Sequence, residues 1–312
     1  MLYAHHQLTY TGRMISRMFN ALYANAYLLL ALTALFWAGN AVVGRGVHED
    51  VPPMALAWWR LVLSLLILLP FVWRNVKNDW PTVRAHWKWL AFFGVTGAGL
   101  FNMSFYFGLH YTEALNALVI QTSGPVLIVI ATATLFGDRL TRNQALGISV
   151  ALIGVLIMIA RGDPGTLTSV SFNIGDLGVV AAMVSWAIYT AFLRKRPAMG
   201  ELSFIATTFM AALLFTTPFF AVEHLSGWQL QPTWQTLFAV FYVALFPSIL
   251  AYVFFNRGVH LIGANRAGIC LYLVPLFGAV MAITLLGEEP RLYHAIGIAL
   301  ILAGVSLAAR RS

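Results

Sequence analysis

The chain has 312 residues, 60% of them hydrophobic and only 10% charged, with a mean hydropathy of +0.79. Soluble domains carry roughly 25% charged residues, so a water-soluble fold is excluded because too few ionic side chains exist to cover its surface. The 19 Lys and Arg against 11 Asp and Glu, a net charge of +8 with pI near 9.9, leave two readings of the basic excess: a nucleic-acid or anionic-surface patch, or topology charges on a membrane protein.

Residues 1–25 hold no apolar span and read as a cytoplasmic N-terminal tail, with Met14 and Met18 as alternative starts. Ten apolar runs follow, at 26–44, 54–73, 89–109, 114–136, 143–160, 174–193, 203–222, 235–256, 264–286 and 292–309. A membrane-crossing helix needs about 20 mostly apolar residues, twice the length of a barrel strand, so these runs predict ten transmembrane helices. The first is too long, and too far from the start, for a signal peptide. The connections between runs are too short to hold a soluble domain.

Polar side chains inside a span are costly and tend to face the bundle interior. In chain order, the first run offers Trp37 and Asn40, which share a helix face. Arg60 lies near the start of the second, where it is expected to snorkel outward, pair with an acid or meet a substrate carboxylate. The third run has Asn102 and Tyr106, and the fourth has Asn116, Gln121 and Thr122, followed by Gly124-Pro125. Trp186 and Tyr189 lie on the sixth, Tyr252 and Asn256 on the eighth, and Asn265, Tyr272 and Pro275 on the ninth. The one cysteine, Cys270, sits in an apolar run, which excludes a disulfide and reads as a buried, inert side chain.

The sequence contains itself twice. Residues 108–161 lie on 258–311 without a gap, with 15 identities in 54 positions, among them Gly108/Gly258, His110/His260, Pro125/Pro275, Gly147/Gly297 and Gly154/Gly304. Trp37-Ala38 matches Trp186-Ala187. The chain is read as two five-span repeats, 26–161 and 174–311, forming one membrane domain. A unit with an odd number of crossings enters on one face and leaves on the other, so its fused copy is expected to lie upside down. Inverted repeats of this kind place a transporter's substrate site between them, near mid-membrane.

With the N-terminus in the cytoplasm, 15 Lys and Arg fall inside, in the connections around Arg74, Lys77, Arg84, Lys88, Arg139, Arg142, Arg194, Lys195, Arg196, Arg257 and Arg266 and in both tails. Only Arg45, Arg161 and Arg291 fall outside. This positive-inside distribution places both termini in the cytoplasm and removes the nucleic-acid reading.

The expected substrate-binding set is Trp37, Asn40, Asn102, Tyr106, Gln121, Trp186, Tyr189, Tyr252, Asn256 and Tyr272, an indole, phenol and amide lining with hardly any full charge. The competing reading makes the amides interhelical hydrogen-bond links and the aromatics interfacial anchors. Pro125 and Pro275 sit mid-span at matched positions and are expected to kink their helices as hinge or gating points. There is no phosphate-binding GxxxxGK[ST] loop, no HExxH, no GxSxG and no buried cluster of His, Asp and Glu. No catalytic residue, cofactor or metal is therefore expected, and no acid lies deep in a span to relay protons or sodium.

At the end of each repeat, a Gly-acid turn precedes a glycine-spaced helix closing in Gly-Val: Gly137-Asp138 through Gly147 to Gly154-Val155, and Gly287-Glu288 through Gly297 to Gly304-Val305. In this the chain resembles the drug/metabolite transporter superfamily, specifically its ten-span EamA-type members, over residues 26–311. Arg60 fits an arginine such proteins often carry in the second span. Among subgroups the chain looks most like the YddG-type aromatic amino acid exporters of bacterial inner membranes. The resemblance implies an all-α integral membrane protein, two inverted five-helix repeats around a central cavity, exporting aromatic and other neutral amino acids and related amphipathic or toxic compounds by alternating access. Four-span multidrug relatives depend on a glutamate in the first span; this chain has Trp37 and Asn40 there and no acid, so transport down the substrate gradient is expected. The partners implied are a small-molecule substrate and the lipid bilayer, without nucleic acid. The oligomeric state stays open, a monomer sufficing. A transporter of sugar-phosphates or nucleotide-sugars, an intramembrane enzyme and a passive channel remain as alternatives.

Overall fold

The computed structural model describes residues 23–47, 49–112, 114–168, 173–285 and 291–309. The N-terminal tail, Glu113, the Gly287-Glu288 turn and Arg310-Arg311 lie outside the described residues. Among the described residues the secondary structure is helical, without strands, and ten helices are long and apolar enough to cross a membrane. They are α1 (Ala26–Gly44), α2 (Pro53–Asn78), α3 (Trp87–Tyr111), α4 (Val119–Phe136), α5 (Arg142–Ile159), α6 (Ile174–Lys195), α7 (Glu201–Leu225), α8 (Trp234–Ile262), α9 (Ala264–Met281) and α10 (Leu292–Ala309). A backbone surrounded by lipid must satisfy its own hydrogen bonds, which is why helices are the answer to such runs.

Short polar side chains set the helix starts. Asn25 accepts from the Leu28 N–H ahead of α1, while Thr141 with Gln144 and Asn173 with Asp176 form capping boxes at α5 and α6. The outer surface is apolar, with Leu66, Phe71, Leu214, Val222 and Phe238 exposed, as a lipid-facing wall requires. At one end Trp73, Trp80, Trp87 and Trp89 are exposed among Arg74, Lys77, Arg84 and Lys88, the composition of a membrane–water interface belt.

Several helix contacts recur when the two halves are exchanged. Gly258 of α8 meets Leu30 of α1, and the matched Gly108 of α3 meets Val179 of α6. On the α5–α10 seam a Cβ placed on Gly147 would stand 2.6 Å from the Gly304 carbonyl oxygen, and one on Gly154 would stand 2.8 Å from that of Gly297. Only glycine permits that approach, the small-residue packing by which helices associate where lipid removes the hydrophobic drive. The seam runs antiparallel, and residue 147 matches 297 as 154 matches 304. α2 and α7 pair in the same antiparallel sense: Met54 and Ala55 N–H donate to the Glu223 carboxylate at 3.1 and 2.7 Å, and Gly200 N–H donates to Asp79 at 3.2 Å.

Three departures from regular helix recur at matched positions. α3 carries a π-helical stretch at Gly94–Leu100 and α8 one at Leu245–Leu250. In α8 the cause is Pro247, which has no N–H to give to Val243; the Ser248 hydroxyl donates to that carbonyl instead, at 2.6 Å. α2 and α7 each contain an interior proline, Pro70 and Pro218. α4 breaks after Gln121 and resumes at Gly124, and α9 passes through a tight turn at Cys270–Tyr272 before resuming at Leu273.

This feature corrects the expectation for Pro125 alone. It lies in the first turn of the segment that resumes at Gly124, where a backbone N–H has no intrahelical acceptor and its loss is free. Pro275 lies within a run that is helical throughout and tightens to a 3-10 turn at Cys270–Tyr272. An interrupted helix such as α4 is the kind of segment that forms transporter binding sites.

Candidate functional site

Between the halves lies a cavity of about 670 Å³. Of the residues expected from sequence, it is lined by Trp37, Asn40, Asn102, Gln121, Trp186, Tyr252 and Tyr272, with Pro125 at the break in α4 and Pro275 just after the 3-10 turn of α9. Phe101, Phe105, Met183 and Met158 add apolar wall. The cavity runs toward the end of the bundle where α5 finishes and α10 begins, reaching Arg161, Thr166, Tyr293 and His294.

Trp37 and Trp186, equivalent in the repeat, meet edge to face with centroids 4.9 Å apart. Tyr252, Phe255 and Phe101 close around them, an arrangement worth more than its buried area because ring edges are positive and faces negative. The Trp37 indole N–H donates to the Pro247 carbonyl at 3.0 Å, and the Tyr252 hydroxyl donates to the Gly97 carbonyl at 2.5 Å. Gly97 and Pro247 are matched positions within the two π-helical stretches, where a widened turn leaves carbonyls for side chains to use.

Arg60 departs from its expected place. It is 2% exposed and does not snorkel, and among the described residues it is paired with no acid. Its Nε and Nη2 donate to the Ser248 hydroxyl at 2.9 and 2.6 Å, and its Nη1 donates to Asn102 Oδ1 at 2.6 Å and the Tyr106 hydroxyl at 2.7 Å. Tyr106 donates onward to Asn40 Oδ1 at 2.9 Å. Sequence reasoning missed Ser248 altogether. Its available signal was the mid-span Pro247, which requires a neighbouring donor for an orphaned carbonyl.

Three expected residues stand off the cavity wall. Tyr106 lies behind it, between Arg60 and Asn40. Tyr189 and Asn256 lie on the far side of the tryptophan pair and bond to one another at 2.8 Å. Asn265 accepts from Thr132 of α4 at 2.6 Å, the helix-linking role that competed with a cavity role, and the side chain of Asn116 lies outside the described residues. His110 packs its ring on Tyr111 and Trp228 at a helix end, and Cys270 is buried.

The other end of the bundle is closed. Phe92, Phe93, Trp89, Phe136 and Phe192 interlock there. Arg194 pairs with Asp138 over the Phe136 ring, and Arg196 stands 3.9 Å from Glu201 and over Phe204. Burial holds the Arg196 guanidinium below its usual range, because a desolvated cation is disfavoured. Among the described residues no group of three His, Cys, Asp or Glu could hold a metal.

The model of the EamA-like transporter family matches residues 24–160 and 173–310. "Uncharacterized transporter YyaM" of Bacillus subtilis is 28% identical, over 90% of this chain and 92% of its own length. A "Probable amino-acid metabolite efflux pump" of Salmonella typhimurium is also 28% identical, over 89% and 92%. A "Probable terminal-alkyne amino-acid exporter" of Streptantibioticus cattleyicolor is 27% identical, over 91% and 93%. One solved crystal structure aligns with a TM-score of 0.73 over 91% of this chain and 96% of that one, at 19% identity, a likeness of fold alone.

Proposed function

The chain belongs to the EamA-like transporter family, and from that premise we propose that it exports amino acids, aromatic and other neutral ones, with related amphipathic metabolites. As a family member it is a multi-pass membrane transporter and not an enzyme. We read it as an alternating-access carrier of the bacterial inner membrane with both termini cytoplasmic, moving substrate down its own gradient. The reading rests on one observation above the rest: a cavity walled by Trp37, Trp186, Tyr252, Tyr272, Asn40 and Gln121, open toward one end of the bundle and sealed toward the other.

Indole and phenol faces offer stacking surface to apolar and aromatic side chains, and the amides fix orientation, the usual division of labour in a small-molecule site. The contacts that exchange between halves support two repeats of opposite orientation, 26–161 and 174–311. In such a pair, the packing that seals one end is available in mirror role at the other. The basic residues gathered at the sealed end support its being cytoplasmic, which makes the present state outward-open. The names of two relatives, an amino-acid metabolite efflux pump and an amino-acid exporter, support the substrate class.

Counterflow by purified protein in liposomes tests the proposal. Labelled phenylalanine should accumulate saturably against preloaded unlabelled phenylalanine, with leucine and tryptophan competing, and without an imposed pH gradient. Movement only under a pH gradient would overturn the gradient-driven mechanism, and no movement of any amino acid would overturn the substrate class.

A further inference from the structure

Among the described residues the cavity wall carries two arginines, Arg60 and Arg161, and neither Asp nor Glu. Arg60, the deeper of the two, carries a guanidinium, a cation with five N–H donors and no acceptor. All its hydrogen bonds go to neutral groups, the side chains of Ser248, Asn102 and Tyr106. Those bonds use four of its five N–H groups and leave one on Nη2. A buried ion without an opposite charge is strongly penalised, so its persistence needs a reason.

The other half of the molecule places no arginine at the matched position. The register that lays Pro70 on Pro218 lays Arg60 on Thr208, which is buried and donates to its own helix at Phe204. The counterpart bond, Tyr189 to Asn256, forms without a guanidinium hydrogen-bonded to its tyrosine, Arg196 standing only in electrostatic range. The tyrosine–asparagine bond therefore does not by itself require the Arg60 hydrogen bonds. A second polar group is left without a partner on the same wall: the Tyr272 hydroxyl is buried and makes no hydrogen bond, although Tyr272 lines the cavity.

We propose that Arg60 is the anion-binding pole of the cavity, and that substrates are held by their carboxylate, with the side chain against Trp37, Trp186 and Phe101 and the ammonium group unrecognised. This rests on the transporter reading above and narrows its substrate class to apolar or aromatic monocarboxylates, of which amino acids are one kind. Arginine suits the task because its remaining Nη2 N–H can make a charge-assisted hydrogen bond to one carboxylate oxygen. Among the described residues the wall supplies no carboxylate to pair with an ammonium, so removing the amino group from a ligand should cost nothing in charge pairing.

Three probes separate the possibilities: phenylpropionate, phenylalanine and phenethylamine. Binding is read by thermal stabilisation of the full-length protein in detergent, and transport by inhibition of labelled phenylalanine counterflow. Wild type should bind phenylpropionate at least as tightly as phenylalanine and ignore phenethylamine. Arg60→Gln should weaken both carboxylates by about tenfold or more, the worth of a hydrogen bond to a charged group, and Arg60→Lys should weaken them less. If Arg60→Gln does not purify as a single species, the wild-type ranking of the three probes decides. Phenethylamine binding as tightly as phenylpropionate, or carboxylate affinities untouched in Arg60→Gln, overturns the anion pole and leaves the transporter standing. No binding of any probe, together with no phenylalanine exchange, overturns both.

Discussion

The Tyr189 hydroxyl donates to Asn256 Oδ1 at 2.8 Å, and exchanging the halves turns this bond into that of Tyr106 with Asn40, at 2.9 Å. The residue types are swapped between the helices, yet the bond is the same. The two copies differ in their surroundings. Asn40 lines the cavity, whereas Tyr189 and Asn256 are buried toward the sealed end.

Losing the Tyr189 bond should favour opening of the sealed end. A single hydrogen bond contributes about 1 kcal/mol, about fivefold in population. Cys270 reports the change without engineering. It is 2% exposed, while its repeat counterpart Ile120, near the open side, is partly exposed. Tyr189→Phe should raise the rate at which a maleimide labels Cys270, and an unchanged rate would separate this bond from the gate.

The α5–α10 seam makes a stability prediction. A Cβ on Gly304 would lie 2.6 Å from both the Gly147 carbonyl oxygen and the Ala151 nitrogen, so the helices must part to admit one. Gly304→Val should cost about 1–3 kcal/mol, the range for overpacking, seen as a lower melting temperature of the detergent-purified protein. Gly278→Ala meets no atom within 4 Å and should melt like wild type.

The indole of Trp186 can be tested apart from its bulk. Truncation to alanine would empty a site surrounded by Trp37, Phe101, Tyr189, Tyr252 and Phe255, at a cost of about 3–5 kcal/mol, and would confuse folding with function. Trp186→Phe keeps a ring and removes the N–H. Counterflow should fall while the melting temperature moves little; normal counterflow would take Trp186 out of the binding set.

Pro275 should affect speed more than stability. It follows the 3-10 turn at Cys270–Tyr272, so Pro275→Ala returns one backbone N–H to the helix and should shift stability by only about 1 kcal/mol. It also allows that turn to relax to regular α-helix. Pre-steady-state exchange should slow with substrate affinity kept, and equal rates would make the turn a fixed element of the site.

What was legible in the sequence was local or repeated. Ten spans follow from apolar run length, and the observed ends differ from the expected ones by a turn or more in four of them: α2 and α8 continue to Asn78 and Ile262, α4 is counted from Val119 and α9 to Met281. The repeat identified the pairs that meet in space, since Trp37 with Trp186 and Asn102 with Tyr252 are matched positions in contact. It did not say which matched residues face the cavity. Tyr106, Tyr189 and Asn256 have the same composition and spacing as those that do, and only the tilt of each helix against its neighbours separates them.

Sequence by itself determined a lipid-solvated bundle, its two halves and the scarcity of charge within it, because run length, self-similarity and composition are written along the chain. Tertiary structure alone decided the fate of Arg60. Its partners Asn102 and Ser248 stand 42 and 188 positions away, on helices brought to it by packing. In a medium that supplies no water, what surrounds a charge decides its role, and no local pattern can record those surroundings.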